Sequence, residues 1–186
     1  DRAFQDCASL ISVDIPDSVI TIGEEAFRNC RGMTTVTFGS GLTSIYGAAF
    51  YGCSSLTEIT IPANVKMIHD AIERNYGDGR SDRGVFENCT SLKKVTIGGE
   101  EILEEQVAIG SEAFEGCTAL EEVYIGNSVG TINNGAFRGC SALSQVTIGS
   151  NVTNIYLEAF LDCVKLKSIE IPDSVITIGE EAFRNC

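Results

Sequence analysis

The sequence lacks tryptophan, contains a single histidine, and has 13 lysines and arginines against 26 aspartates and glutamates. Its formal net charge of −13 argues against nucleic-acid binding, which needs a basic surface to neutralise phosphates. The same charge disfavours docking on an anionic membrane surface. No apolar run approaches the roughly 20 residues that span a bilayer, so we expect no membrane insertion.

Residue groupings that support catalysis or metal binding are also lacking. No catalytic triad can be assembled around His69, the only histidine in the chain. The eight cysteines never occur as C-x-x-C, and residues 78–82 lack the order of a calcium-binding loop. We therefore expect a non-enzymatic protein with no metal and no cofactor.

One repeated motif accounts for most of the sequence. It is Ala-Phe-x-x-Cys-x-x-Leu-x-x-Ile-x-Ile, and it is clearest at residues 136–148. Five of the seven intervals between successive copies are 23 residues long, and the other two are 36 and 28. An internal repeat of this length is typical of a solenoid. A cysteine follows three residues after each of the phenylalanines Phe4, Phe27, Phe50, Phe86, Phe114, Phe137, Phe160 and Phe183.

Each copy contains two apolar segments. The first, L-x-x-I-x-I, alternates inward and outward positions and is rich in β-branched residues, so it predicts a short strand. A proline or a glycine follows and ends that strand. The second segment, V-x-x-I, predicts a brief extended stretch on the opposite side of the chain. We expect Ala-Phe-x-x-Cys to form a tight helical or 3₁₀ turn between them.

A 23-residue unit cannot bury its apolar side alone, whereas stacked units can. The sequence therefore predicts a right-handed stack of about seven 23-residue coils. A parallel β-sheet of seven strands would form one face, and short extended or 3₁₀ segments the other. We expect a single domain over residues 1–186. Because it begins and ends within copies of the motif, we interpret it as a fragment of a longer chain.

The full pattern L-x-x-I-x-I-P-x-S-V-x-x-I-G-x-x-A-F-x-x-C resembles the BspA-type leucine-rich repeat. Residues 15–30, IPDSVITIGEEAFRNC, contain most of this resemblance, and residues 171–186 repeat them identically. The resemblance implies a leucine-rich-repeat solenoid of the β-rich α/β class. It also implies a bacterial, or protozoan, cell-surface or secreted protein that adheres to host proteins or to other cells.

Two insertions, within residues 69–84 and 98–107, account for the two longer intervals. The first is the only stretch dense in arginine, and the second is strongly acidic. Functional residues often lie on loops held by a rigid scaffold. The first insertion therefore contributes the candidate partner-binding residues Arg74, Tyr76, Arg80 and Arg83. The alternative is a tolerated surface insertion without a function.

The outward positions of the predicted strands form the broad surface that solenoids use for binding. One column of these positions contains Glu58, Lys94 and Glu122, which alternate in sign on successive coils. Tyr124 is the only aromatic residue on this face, and tyrosine is common at binding hot spots. We therefore add Lys94, Glu122 and Tyr124 to the candidate partner-binding residues.

All eight cysteines occupy one position of the motif, so we expect their side chains to point together into the core. Parallel Cα–Cβ vectors disfavour disulfides between neighbouring coils. We expect free thiols that pack as small hydrophobic groups. Recurrent carboxylate pairs such as Glu24 and Glu25 are interpreted as solvated surface rather than as acid–base groups.

Two functional hypotheses follow. The first is a non-enzymatic, adhesin-like module of a cell-surface or secreted protein, with a host matrix or cell-surface protein as its partner. The second is a structural spacer solenoid that presents another domain. A hydrolase is a third alternative, and no catalytic grouping supports it.

Overall fold

The computed structural model describes residues 1–68, 83–101 and 105–186. Within these ranges the chain forms stacked coils that contain parallel strands and turns and no helix. The solenoid predicted from the repeat is therefore confirmed. Most of the first predicted insertion, residues 69–82, and residues 102–104 of the second lie outside the described residues.

The front side of the solenoid is built from four-residue strands. Along each strand exposed and more buried side chains alternate, as in the strand that exposes Glu58 and Thr60 and buries Ile59 and Ile61. Paired front strands keep exact register, so each residue lies beside its counterpart in the next coil. These strands are β1 (Ser12–Ile15), β3 (Thr35–Phe38), β5 (Glu58–Ile61), β7 (Lys94–Ile97), β9 (Glu122–Ile125) and β11 (Gln145–Ile148).

The V-x-x-I segments form a second parallel sheet on the back side. In the described residues this back sheet has seven strands and no break. The sequence predicts brief extended segments here, and the structure joins them into one sheet. Its strands are β2 (Thr21–Ile22), β4 (Ser44–Ile45), β6 (Met67–Ile68), β8 (Val107–Ile109), β10 (Val129–Ile132), β12 (Asn154–Ile155) and β13 (Thr177–Ile178).

The front sheet is interrupted, contrary to the continuous sheet that the sequence predicts. β3 does not pair with β5, which leaves a two-stranded sheet, β1–β3, and a four-stranded sheet, β5–β7–β9–β11. Residues 168–171, predicted as part of a seventh front strand, form no strand. In both places a proline follows the segment, Pro62 after β5 and Pro172 after residue 171. Proline has no N–H to donate to the preceding coil, so it removes a ladder hydrogen bond.

A ladder of phenylalanine rings runs through the core. All eight motif phenylalanines stack on one another with ring centroids 5.0–5.3 Å apart and planes within 10°. This spacing is close to the separation of about 4.8 Å between paired strands. Phe50, Phe86 and Phe114 stack in sequence although longer intervals separate them, so the insertions leave the ladder intact.

The cysteines form a second ladder beside the rings. From the second coil onward, each cysteine thiol donates to the carbonyl of the motif phenylalanine in the preceding coil. Cys140 Sγ, for example, donates to Phe114 O at 3.3 Å. Six cysteines are buried and confirm the predicted core position, whereas Cys7 and Cys186 in the two end coils are exposed. Burial raises the pKa of the Cys117 thiol to about 12. The buried cysteines are therefore hydrogen-bonded thiols as well as hydrophobic filling.

The Ala-Phe-x-x-Cys segments are successive turns rather than a helix. Some of their backbone N–H groups donate to the carbonyl three residues earlier, as Cys140 N does to Phe137 O at 3.2 Å. Others donate to a carbonyl of the next coil, as Phe137 N does to Ala159 O at 2.8 Å. The second residue after each phenylalanine has positive φ. Only glycine, asparagine and aspartate tolerate this conformation well, and only these three occur there. Those positions are Asp6, Asn29, Gly52, Asn88, Gly116, Gly139, Asp162 and Asn185.

Candidate functional site

Three of the predicted partner-binding residues lie together on the outer face of the front sheet. The register of β7 and β9 places Lys94 beside Glu122 and Thr96 beside Tyr124. Lys94 Nζ lies 3.1 Å from Glu122 Oε2, and the two side chains are 50% and 44% exposed. We call Lys94, Glu122 and Tyr124 the front cluster. It presents a cation, an anion and an aromatic ring on two adjacent strands.

The second insertion holds the ring of the front cluster in place. The Tyr124 hydroxyl donates to the Glu100 carboxylate, and this bond raises the pKa of the phenol. Asn127 Nδ2 donates to both Glu100 O, at 3.1 Å, and Glu100 Oε2, at 3.2 Å. Neither Glu100 nor Asn127 was selected from the sequence, because their proximity to Tyr124 depends on how residues 98–101 fold back over the next coil.

Arg83 lies apart from the front cluster, on the turn side of the coils. Its guanidinium carbon is 4.6 Å from the centroid of the Tyr51 ring, and that of Arg28 is 5.3 Å from the same ring. Arg83 Nη1 also donates to the Tyr51 hydroxyl at 2.9 Å. We call Arg28, Tyr51 and Arg83 the arginine–tyrosine cluster. It stands where residues 69–82 join the described part of the chain.

A buried carboxyl group supports the arginine–tyrosine cluster. Glu87 is only 8% exposed, and its oxygens accept from Gly84 N at 3.1 Å and from Arg83 Nη1 at 3.3 Å. Burial raises the pKa of Glu87 to about 7, although the Arg83 charge opposes that rise. The negative charges of Glu115 and Glu112 add to the rise. Near neutral pH this group therefore exchanges a proton next to Arg83.

Charges along the turn side are largely paired with one another. Glu25 Oε1 lies 2.7 Å from Arg28 Nη1, and its Oε2 lies 2.7 Å from Arg2 Nε. The interpretation of Glu25 as a solvated carboxylate was therefore wrong. Arg138 contacts three carboxylates on neighbouring coils, at 2.7–3.1 Å. The side chains of Glu25 and Arg138 are 14% and 33% exposed, so they are less available to a partner than the more exposed Lys94–Glu122 pair.

The predicted site residues thus divide into separate groups. Lys94, Glu122 and Tyr124 form the front cluster, and Arg83 belongs to the arginine–tyrosine cluster. Arg74, Tyr76 and Arg80 lie outside the described residues, so they remain predictions. Among the described residues no group of three histidine, cysteine or acidic side chains could hold a metal ion.

The 23-residue coils, the parallel strands and the ladder of core phenylalanines define a leucine-rich-repeat solenoid. The chain belongs to the BspA-type leucine-rich repeat family, whose model matches residues 1–75 and 82–186 in six copies. Leucine-rich repeats are generally scaffolds for protein interaction rather than enzymes, and their extended surfaces suit that role.

Solved structures of bacterial leucine-rich repeat proteins share this fold. One from Eubacterium ventriosum ATCC 27560 is similar with a TM-score of 0.78 and 27% identity, over 95% of this chain and 43% of that one. The T. pallidum protein TpLRR is similar with a TM-score of 0.70 and 28% identity, over 90% of this chain and 70% of that one. One from Bacteroides ovatus ATCC 8483 is similar with a TM-score of 0.57 and 30% identity, over 94% of this chain and 49% of that one. This chain therefore spans less than half the length of two of these three relatives.

The comparison with curated proteins gives no match to this chain. In the described part of the chain no helix is long and apolar enough to cross a bilayer.

Proposed function

We propose that the chain is a non-enzymatic, adhesin-like binding module of a bacterial cell-surface or secreted protein. Its partner is a protein of the host matrix or of another cell surface. The membership of the BspA-type family supports this proposal. The front cluster is the single structural observation on which it rests, since it places exposed binding groups on a rigid scaffold.

The front cluster has the features of a binding hot spot. Tyr124 offers a ring whose hydroxyl is already held by Glu100, so little freedom is lost when a partner covers it. Lys94 and Glu122 are exposed and can exchange their mutual contact for contacts with a partner. The strands beneath them are fixed by buried isoleucines and valines, which keeps the cluster preorganised.

Binding of the whole chain to a panel of immobilised host matrix proteins, measured by surface plasmon resonance, tests the proposal. The double variant Lys94→Ala with Tyr124→Ala should weaken binding by roughly tenfold or more, as expected for hot-spot residues. Tyr156→Ala is the matched control, because Tyr156 is an exposed tyrosine beside the back sheet. No binding by the chain, or equal losses in both variants, would contradict the front cluster as the site.

A structural spacer is the second candidate function. The ladder of eight stacked rings and the identity of residues 15–30 with residues 171–186 favour a uniform rod that can be shortened or extended. Deletion of two whole 23-residue units should then leave binding by the parent protein intact. Loss of binding on deletion of residues 69–84 alone would contradict the spacer and would support Arg74, Tyr76 and Arg80 as contact residues.

A further inference from the structure

The interruption of the front sheet leaves a groove between β3 and β5. Its volume is about 340 Å³. Four exposed polar side chains, three of them threonines, stand at its rim, and an aromatic ring and a proline ring form an apolar part. The residues concerned are Thr35, Thr37, Thr60, Glu58, Phe38 and Pro62.

A proline that lines the groove closes the coil containing β5. In the two following coils, Gly98 N donates to Ile61 O and Gly126 N donates to Ile97 O, both at 2.8 Å. Pro62 occupies the equivalent position after β5 and has no N–H for Phe38 O. At the opposite end Thr57 N lies 3.4 Å from Thr34 O, a long hydrogen bond. β3 and β5 belong to separate sheets, so their facing edges have no strand partners.

The groove has more hydrogen-bond acceptors than donors. The missing N–H of Pro62 removes one donor while the carbonyl of Phe38 remains. The Thr37 hydroxyl already donates to Asp14 Oδ1, at 2.5 Å, so only the hydroxyls of Thr35 and Thr60 can act either way. The Glu58 carboxylate has no ion-pair partner among the described residues, because Lys94 of the next coil is paired with Glu122. A cationic donor therefore complements the groove, and the net charge of −13 favours its approach.

The apolar part of the groove selects the shape of that cation. Phe38 is only half-buried, and its ring meets Phe50 edge to face at 5.9 Å and 70°. Phe38 and Pro62 both line the groove. An arginine side chain fits both parts, since its aliphatic stem packs on apolar surface and its planar fork donates to several acceptors at once. A lysine ammonium lacks that planar fork.

We propose that the groove between β3 and β5 binds an arginine side chain of the partner protein. The carboxylate of Glu58 and the hydroxyls of Thr35 and Thr60 accept from the guanidinium, and Phe38 and Pro62 border the stem. This inference rests on the proposed protein-binding function and names a chemical feature of the partner. It adds a second contact to the front cluster, on the same face of the solenoid.

The test is an NMR titration of the full ¹⁵N-labelled chain with the tripeptide acetyl-Gly-Arg-Gly-amide. Its control ligand carries citrulline, which has the same shape as arginine but no charge. We expect saturable shifts at the amides of residues 34–38 and 57–61. The arginine peptide should bind on the order of tenfold more tightly than the citrulline peptide. Equal binding of both peptides, or shifts mapping elsewhere, would overturn the proposal.

Two pairs of variants distinguish the groove from the rest of the face. Glu58→Gln should weaken arginine binding about tenfold, whereas Gln145→Glu, which puts a carboxylate at the equivalent position of an intact part of the sheet, should create no second site. Pro62→Gly supplies the missing N–H and should abolish binding by closing the groove. Pro16→Gly, in a coil with no described coil before it, should leave binding unchanged.

Failure of this inference is separable from failure of the proposed function. The tripeptide titration needs no matrix protein, so absent arginine binding with intact matrix binding overturns the groove alone. If Pro62→Gly binds the arginine peptide as the parent chain does, the groove is not the site. Circular dichroism of each variant checks that the solenoid is folded, and Glu58→Gln provides the test should Pro62→Gly be unfolded.

Discussion

The back sheet and the front sheet of this solenoid differ in continuity, and the sheet with the shorter strands is the continuous one. Most back strands contain two residues, yet all seven described strands pair without a break. The front strands contain four residues each and separate into sheets of two and four strands. Strand length therefore does not decide whether neighbouring coils remain paired.

The two sides also differ in the residues that follow their strands. After the back strands, Tyr46 N donates to Ile22 O at 2.9 Å, and Gly179 N donates to Ile155 O at 2.7 Å. No proline follows a back strand anywhere in the sequence. On the front side glycine follows each strand that pairs with the coil before it, whereas Pro62 and Pro172 follow the two segments that do not. Gly98 N and Gly126 N donate to the last residue of the preceding front strand, both at 2.8 Å, and a proline can form no such bond.

The largest expected effect concerns the ladder that both sheets share. Phe137→Ala opens a cavity in the stacked rings and should lower the free energy of unfolding by roughly 3–5 kcal/mol. Urea denaturation followed by circular dichroism measures this. Phe4→Ala is the control, because Phe4 is at the end of the ladder and 46% exposed, so its loss should be much smaller. Equal losses would mean that the ladder does not hold the coils together.

The second prediction is that a proline interrupts the front sheet at a position where its strands are paired. Gly126→Pro removes the N–H that donates to Ile97 O, so β7 and β9 should separate as β3 and β5 do. Leaving this buried carbonyl without a partner should lower the free energy of unfolding by about 1–3 kcal/mol. Hydrogen exchange of the amides in residues 122–125 reports the separation directly.

Gly126→Ala is the matched control for that substitution. A Cβ at Gly126 would lie 2.5 Å from Gly99 O, so part of any loss comes from crowding rather than from the missing N–H. Alanine retains the N–H and should therefore keep β7 and β9 paired. If the alanine variant opens the sheet to the same extent, the role assigned to the proline N–H is wrong.

Much of the fold could be predicted from the sequence because the repeat determines which residues face the core. The alternation of apolar residues placed six of the seven predicted front strands correctly, and the common position of the cysteines predicted the burial of six of them. These features depend on local pattern and on the stacking of like positions. A single chain with an evident 23-residue period contains that information.

The interruption of the front sheet and the position of Arg83 could not be predicted in the same way. Pro62 was interpreted only as the end of its own strand, although its effect falls on Phe38 of the preceding coil. The contrast between Pro62 and Gly98 was the available signal, and it becomes informative once hydrogen bonds between coils are considered. Arg83 contacts Tyr51, although the first insertion separates the two residues in the sequence. No local sequence pattern predicts such a contact.

The third prediction concerns Glu87, on the turn side of the coils. Burial raises the pKa of Glu87 from 4.5 to about 7 in the folded chain, so between these values only the folded state keeps the proton. Stability from that proton is complete below about pH 4.5 and is lost as the pH rises to about 7. Glu87→Gln cannot titrate and should remove this decline.

The measurement is the free energy of urea unfolding at several pH values from 4.5 to 7.5. The difference between the parent chain and Glu87→Gln should change on the order of 1–3 kcal/mol across that range. Glu121→Gln, at an exposed carboxylate, should preserve the slope of the parent chain. A slope that is unchanged in Glu87→Gln would show that Glu87 does not cause the decline in stability.

The smallest effect is expected where the front sheet is intact but its surface is exposed. Lys94 and Glu122 lie 3.1 Å apart on paired strands, and both side chains remain in contact with water. A double-mutant cycle with Lys94→Ala and Glu122→Ala should give a coupling of about 0.2–1 kcal/mol, which falls as salt is added. So small a coupling leaves both groups available to a partner at little loss of stability. A coupling of several kcal/mol would instead make this pair a structural element, and the front cluster would then be a poor binding site.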